Sequence, residues 1–331
     1  MSHKLKVAEA RAEYITEQDV WSHFNFIFSP RSKNSTSYKF VLIKSLLENL
    51  YNVNELLELN YFQVFESFTK IYWNLVIHHK LNQINMQGKK AGVQTVLEKF
   101  QEKFQIEDSI VFDKLPSQLQ VELVEKVTRA CKINVMGAIY GDTGGTIYSF
   151  DNYDEKMKFT PSFYSFMQKF QKIIMYLSNY HLALFLEKFN DQGNTTRLLL
   201  KVENVSKRFS LNSFYDLLAA VYQQECFYCG KEIKSKKGNH VDHFIPWSFV
   251  QTDQLWNLVI ACSGCNLSKN DKLAEVYYLE KLIVRNQDMM DNRVLQSRND
   301  MDLYVPEKLK SLYDYSKKNG YTAIWMPKKA Q

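Results

Sequence analysis

Glycine and proline are scarce, at 11 and 6 of 331 residues, which leaves little room for long flexible linkers and favours helix. Long apolar runs are missing as well. The greasiest stretch, Ile173 to Leu186, is 14 residues broken by Ser178, Asn179 and His181, and a membrane-spanning helix needs about 20. The opening residues, MSHKLKVAEARAEYITEQDV, hold no apolar segment of signal-peptide length. The expectation is a soluble, cytoplasmic protein without a membrane partner. Neither sign of charge dominates: 42 Lys and Arg against 36 Asp and Glu leave +6, a mild lean toward polyanions. Hydrophobic and charged fractions of 45% and 24% are ordinary globular values and exclude a disordered or fibrous chain. The length suggests two domains. The 22 Phe and 20 Tyr point to a large aromatic core rather than a stacking surface.

Only five cysteines are present, and four form two pairs, Cys226/Cys229 and Cys262/Cys265, with Cys131 alone upstream. In a chain with no export signal, paired Cys-x-x-Cys reads as metal binding before disulfides. The pairs are separated by 32 residues, Gly230 to Ala261. Each can form a knuckle offering two sulfurs from one turn, and four thiolates at this spacing can surround one tetrahedral Zn²⁺. The alternative is four reduced, buried cysteines. Cys131 falls in a predicted helix, where a buried free thiol is expected.

Before residue 200 the hydrophobic period is mostly helical. Thr16-Glu17-Gln18-Asp19 resembles a capping box ahead of Val20, Trp21, Phe24, Ile27 and Phe28. Further helices are predicted over about 40–50, 61–81, 93–104 and 117–136. The pattern then alternates across Thr146–Phe150 and Lys156–Phe159 around the turn Asp151-Asn152-Tyr153-Asp154, which predicts a β-hairpin. Gly141-Asp142-Thr143-Gly144-Gly145 lacks the Lys-Ser/Thr of a phosphate loop and reads as the turn before that hairpin. Pro161 suits the first turn of a helix running to about Phe189, and two more are expected near 195–208 and 211–224. From Cys226 to about Lys272 the elements shorten, and helix resumes over 273–284 and 306–318. The expected fold class is mainly α: a helical region over 1–200 with one short hairpin, then a small zinc-stapled ββα domain over 201–331, with its core at 226–273 and C-terminal helices.

Between the cysteine pairs lies Val241-Asp242-His243-Phe244-Ile245-Pro246, a β-prone run with adjacent carboxylate and imidazole. Neighbours on a strand face opposite ways, so at a strand end one can hold a cation while the other faces a water beside it. Asn257 opens a second strand, and Cys262 and Cys265 lead through Asn266-Leu267-Ser268-Lys269 into a helix. An Asp-His pair or an Asn-Leu alone would carry little weight. His240 is expected to be structural, Trp247 and Trp256 to pack the small core, and His78-His79 to be packing or surface. Lys231, Lys234, Lys236 and Lys237 form a basic turn, and Arg197 to His240 holds eight Lys/Arg against four Asp/Glu. Given the candidate site inside the insert, Lys234, Lys236 and Lys237 are expected to contact a nucleic-acid backbone.

Together these residues resemble the HNH family of ββα-metal endonucleases: Cys-x-x-Cys, Asp-His with a following Pro, Asn-Leu, then Cys-x-x-Cys-Asn-x-x-Lys. The family's letters fall on His243, Asn257 and Asn266, the last being Asn in place of His. The resemblance covers only about residues 226–273. It implies that His243 is the general base, for which an unperturbed pKa of about 6.5 is suited. It implies that Asp242 and Asn266 hold one catalytic Mg²⁺ or Mn²⁺, that Asn257 ties down the loop and orients the base, and that Lys269 contacts phosphate. The implied activity is hydrolysis of DNA phosphodiesters, with RNA as the alternative substrate. The helical front end resembles restriction and phage-defence nucleases in layout, with a homodimer or a defence-system protein as the expected partner. Two rival expectations are a non-catalytic zinc module binding nucleic acid or protein, and an effector nuclease held idle until its N-terminal region senses a signal.

Overall fold

A computed structural model describes residues 5–11, 14–85, 87–206, 211–222, 225–233, 238–291, 301 and 304–327. The chain divides into two compact units, Met1–Lys207 and Arg208–Gln331. In chain order the first contains β1 (Val7–Ala8), α1 (Glu17–Ile27), α2 (Tyr38–Glu48), β2 (Glu58–Asn60), α3 (Tyr61–Trp73), α4 (Gly92–Lys103), α5 (Ser117–Asp142), β3 (Tyr148–Asp151), β4 (Lys156–Phe159), α6 (Pro161–Glu187), α7 (Gln192–Thr195) and α8 (Leu198–Asn204).

The centre of the first unit is α2, buried at every position and packed against α3, α5 and α6. Helix starts are set by the expected chemistry. Thr16 accepts the Asp19 N–H at 3.1 Å, while the Asp19 carboxylate takes the Thr16 N–H at 2.9 Å. Asn60 and Gln63 repeat the device at the start of α3, and Pro161 occupies the first turn of α6. After Trp73 the chain widens into a π-helical turn, Asn74–His78. There the buried Asn74 amide donates to the Val205 carbonyl at 2.7 Å and accepts the Phe112 N–H at 2.9 Å. The predicted hairpin is β3–β4, and β1 and β2 extend it to an antiparallel sheet in the order β1-β3-β4-β2. Those two edge strands were not anticipated, since strands of two and three residues carry no readable period. Cys131 is a buried free thiol on α5, and burial pushes it up to about 12.

The second unit contains α9 (Asn212–Val221), β5 (Asn239–His243), α10 (Trp247–Val250), β6 (Leu258–Cys262), α11 (Ser263–Lys269), β7 (Leu273–Ala274), α12 (Val276–Asp291), α13 (Pro306–Lys318) and β8 (Ile324–Trp325). β5 and β6 form an antiparallel ladder with His243 opposite Leu258 and Asn239 opposite Cys262. Leu258 to Ala261 are all buried, because α9 and α11 both pack on this ladder. Trp256 is buried and meets Tyr304, while Trp247 is half-buried. β7 and β8 pair in parallel, Leu273 with Ile324, an unpredicted contact that returns residues 324–325 to the segment after α11. The architecture is mainly helical with small sheets, as expected. Among the described residues, no helix is long and apolar enough to cross a membrane.

Candidate active site and metal frame

The first knuckle is shaped by its backbone. Gly230 donates to the Cys226 carbonyl at 2.9 Å with a φ of +70°, a conformation glycine adopts without strain. Cys226 N–H donates to Lys231, and Phe227 N–H donates to Ile260 at 2.9 Å, docking the knuckle on β6. The second knuckle is where β6 ends and α11 begins: Cys262 caps the helix and Cys265 lies in its first turn. The four ligand sulfurs lie within 4.8 Å of one another, and Cys229 and Cys262 Sγ are 3.9 Å apart. A tetrahedral Zn²⁺ with bonds of about 2.3 Å has an edge of about 3.8 Å, so the frame fits such an ion. Burial raises the Cys226 and Cys265 thiols, and for Cys265 the neighbouring sulfurs add to this. A cation at the centre reverses that balance, because it favours thiolate.

Asp242 and His243 lie at the end of β5, where the strand gives way to Phe244-Ile245-Pro246. The Asp242 side chain is 9% exposed and is held from two directions. Tyr228 donates its hydroxyl to Oδ2 at 2.6 Å, and the Lys269 ammonium lies 3.0 Å from the same oxygen. Both contacts fall on Oδ2, and Oδ1 takes no part in them. Burial and the Asp242 carboxylate push the Tyr228 phenol well above its ordinary value, so it stays a donor.

Lys269 departs from the sequence expectation. Its side chain is fully buried, and its ammonium also donates to the His243 carbonyl at 2.8 Å. The lysine expected at phosphate is therefore inside the site, fastening α11 to the end of β5. Asn266 precedes Lys269 by three residues on α11 and is part-exposed. The helix ends directly afterwards at Asn270, whose φ is +47°.

Asn257 is buried and grips the segment after His243. It accepts the Ile245 N–H at 2.8 Å and donates to the Ile245 carbonyl at 3.0 Å. Its own carbonyl accepts the Phe244 N–H at 2.8 Å. His243 itself turns Nε2 toward the Asp253 carboxylate at 2.7 Å, with side chains 13% and 7% exposed. His240 is exposed on β5, with Nε2 at 3.2 Å from the Ser263 hydroxyl. Lys234, Lys236 and Lys237 lie outside the described residues.

Sequence reasoning missed three members of this site. Tyr228 is hidden inside a Cys-x-x-Cys motif, where only the cysteines draw notice. Asp253 sits in the polar run Gln251-Thr252-Asp253-Gln254 with no periodic signal. Arg285 of α12 is part-buried and donates to the Leu258 carbonyl at 2.7 Å, and desolvation of its guanidinium lowers it to about 10. An arginine turned inward cannot be told from an exposed one by spacing alone.

Residues 226–275 match the family model described as HNH endonuclease, and the match is limited to that segment. It supports a nuclease-type function for the second unit and agrees with the four-cysteine cluster at its two ends. Comparison with curated proteins and with solved structures gave no match.

Proposed function

We propose that the second unit is a metal-dependent endonuclease that hydrolyses DNA phosphodiesters. The observation that carries this reading is the fastening of α11 to the Asp242–His243 strand end through Lys269, within a segment that matches the HNH endonuclease family. In this reading a carboxylate and an imidazole from one strand end and an amide from the fastened helix make up the reactive set.

In this reading His243 accepts a proton from the water that attacks phosphorus. Tyr228 and Lys269 hold Asp242 through Oδ2, and in this reading Asp242 Oδ1 and the Asn266 amide oxygen would be the two hard protein donors to the ion. Few protein ligands, all oxygen, suit Mg²⁺ or Mn²⁺. A divalent ion there supplies charge neutralisation for the phosphate and the leaving 3′-oxygen. Asn257 keeps the peptide after His243 in place. The four cysteines hold Zn²⁺ as a structural ion. The products carry a 5′-phosphate and a 3′-hydroxyl. One such site cuts one strand, so duplex scission takes two sites or two events.

Residues 1–200 serve recognition or regulation in this reading, and the layout of a helical unit beside an HNH module favours restriction or phage defence. Incubating purified protein with supercoiled plasmid, in Mg²⁺ and in EDTA, tests the activity, and an RNA substrate run in parallel tests the choice of nucleic acid. Metal-dependent nicking is expected, and His243→Ala should lower kcat by about 10²–10⁴-fold with zinc content unchanged. A chain that holds zinc and binds DNA without nicking it would make this unit a binding module instead.

A further inference from the structure

We propose that Asp253 is a positioning residue for this reaction: its carboxylate accepts the Nε2–H of His243, fixes the ring in one tautomer and leaves Nδ1 to take the proton of the attacking water. The inference rests on the reading of His243 as the base. It begins from the 2.7 Å contact between His243 Nε2 and Asp253 Oδ1. An ionised carboxylate only accepts, so the ring nitrogen facing it carries the hydrogen, and in a neutral imidazole the other nitrogen then has a free lone pair.

The placement of Asp253 argues that this contact is built into the fold. A polar loop usually leaves its carboxylates in water, yet the Asp253 side chain is only 7% exposed. The loop is bent inward by its neighbours. Gln251 ends α10 with a φ of +55°, and the Asn257 N–H closes a turn on the Gln254 carbonyl at 2.8 Å. Leu255, two residues after Asp253, is completely buried. The two carboxylates beside the histidine have separate duties. Asp242 is engaged by Tyr228 and Lys269, and Asp253 by the imidazole. In the reaction the water O–H bond breaks with its proton going to Nδ1, the new P–O bond forms, and the P–O3′ bond breaks with a solvent proton going to the leaving oxygen. Asp253 stays ionised throughout and keeps the ring aimed.

Asp253→Asn is the test, since the amide can offer either its oxygen or its NH₂ to the ring and no longer selects one tautomer. Losing the carboxylate that fixes the tautomer of a general base costs up to about 10⁴-fold in activity. That loss is expected in kcat for plasmid nicking, with KM, zinc content and melting temperature unchanged. A structural role would not move the second readout, the ring-nitrogen NMR spectrum of ¹⁵N-histidine protein, with His243 assigned through His243→Ala. The wild-type ring should show Nε2–H with Nδ1 bare, and the Asp253→Asn ring a mixture. Wild-type kcat in Asp253→Asn, or an Nδ1–H ring in the wild type, would overturn the inference. If Asp253→Asn fails to fold, the wild-type tautomer alone decides. If the wild type does not nick, or His243→Ala still does, the nuclease reading falls by itself. An activity lost in His243→Ala and kept in Asp253→Asn removes only the role of Asp253.

Discussion

Replacing Lys269 by Met separates two roles that a lysine at the end of an HNH motif can play. Its ammonium is buried between Asp242 Oδ2 at 3.0 Å and the His243 carbonyl at 2.8 Å. Methionine fills similar space but leaves a carboxylate and a carbonyl without their donor. Breaking a buried ion pair in this way costs about 3–5 kcal/mol. With an m-value of about 2 kcal/mol per molar urea, the unfolding midpoint of the second unit should fall by roughly 2 M. Trp247, Trp256 and Trp325 report on this unit, and Trp21 and Trp73 report on the other. The double variant Asp242→Asn/Lys269→Met should lose less than the two single losses added together, because neither leaves the other's charge exposed in the interior. If Lys269 instead contacted phosphate, Lys269→Met would keep its midpoint and reduce the salt slope of DNA binding by about one. That pair of results would refute the structural role.

Other perturbations probe separate parts of the molecule. Asn257→Ala removes both side-chain bonds to Ile245 and should destabilise the second unit by about 2–4 kcal/mol in urea titration, with slower nicking, because two buried backbone groups lose their partners. Cys226→Ser or Cys265→Ser should abolish stoichiometric zinc and unfold this unit, as seen by metal analysis and limited proteolysis; a soluble, zinc-free and active variant would contradict a structural ion. In the first unit, burial, followed by the charges of His78 and Lys201, lowers His79 to about 4. Its neutral form is favoured on folding, so above pH 6.5 it has no effect, and as pH falls from 6.5 toward 4 the unfolded chain takes up a proton the folded one resists. Stability should decline over that window, and His79→Gln should flatten the decline in melting temperatures measured from pH 7 to 4. Gly145→Ala should cost stability as well, since a Cβ there would meet the Tyr140 ring at 2.6 Å and φ is +79°.

What could be read from sequence follows how local each cause is. The capping box at Thr16, Pro161 at the start of α6, and the helix Pro306–Lys318 depend on residues within a few positions of one another, and the structure contains them as expected. The helix expected over 61–81 stops being α-helical at Asn74, whose two bonds go to Phe112 and Val205, far along the chain. No window of neighbours contains that information. The candidate site divides in the same way. Four cysteines and the Asp-His, Asn and Asn positions are legible because their spacing follows the knuckles and the ladder. Tyr228 and Asp253 join through tertiary contacts, and Lys269 is legible as part of the motif while its burial against Asp242 is not, since spacing does not report burial.

The strand Leu258–Cys262 begins next to Asn257 and ends on a metal-frame cysteine. Five residues of β-structure extend about 16 Å, so this strand acts as a strut of set length between the Asn257 grip and the four-cysteine cluster. Because successive residues alternate faces, adding or deleting a single amino acid there would turn the strut over, and the thiol at one end could no longer serve the frame while the amide at the other kept its grip. The connector between the strands can be lengthened without this penalty, but this segment has to keep its number of residues.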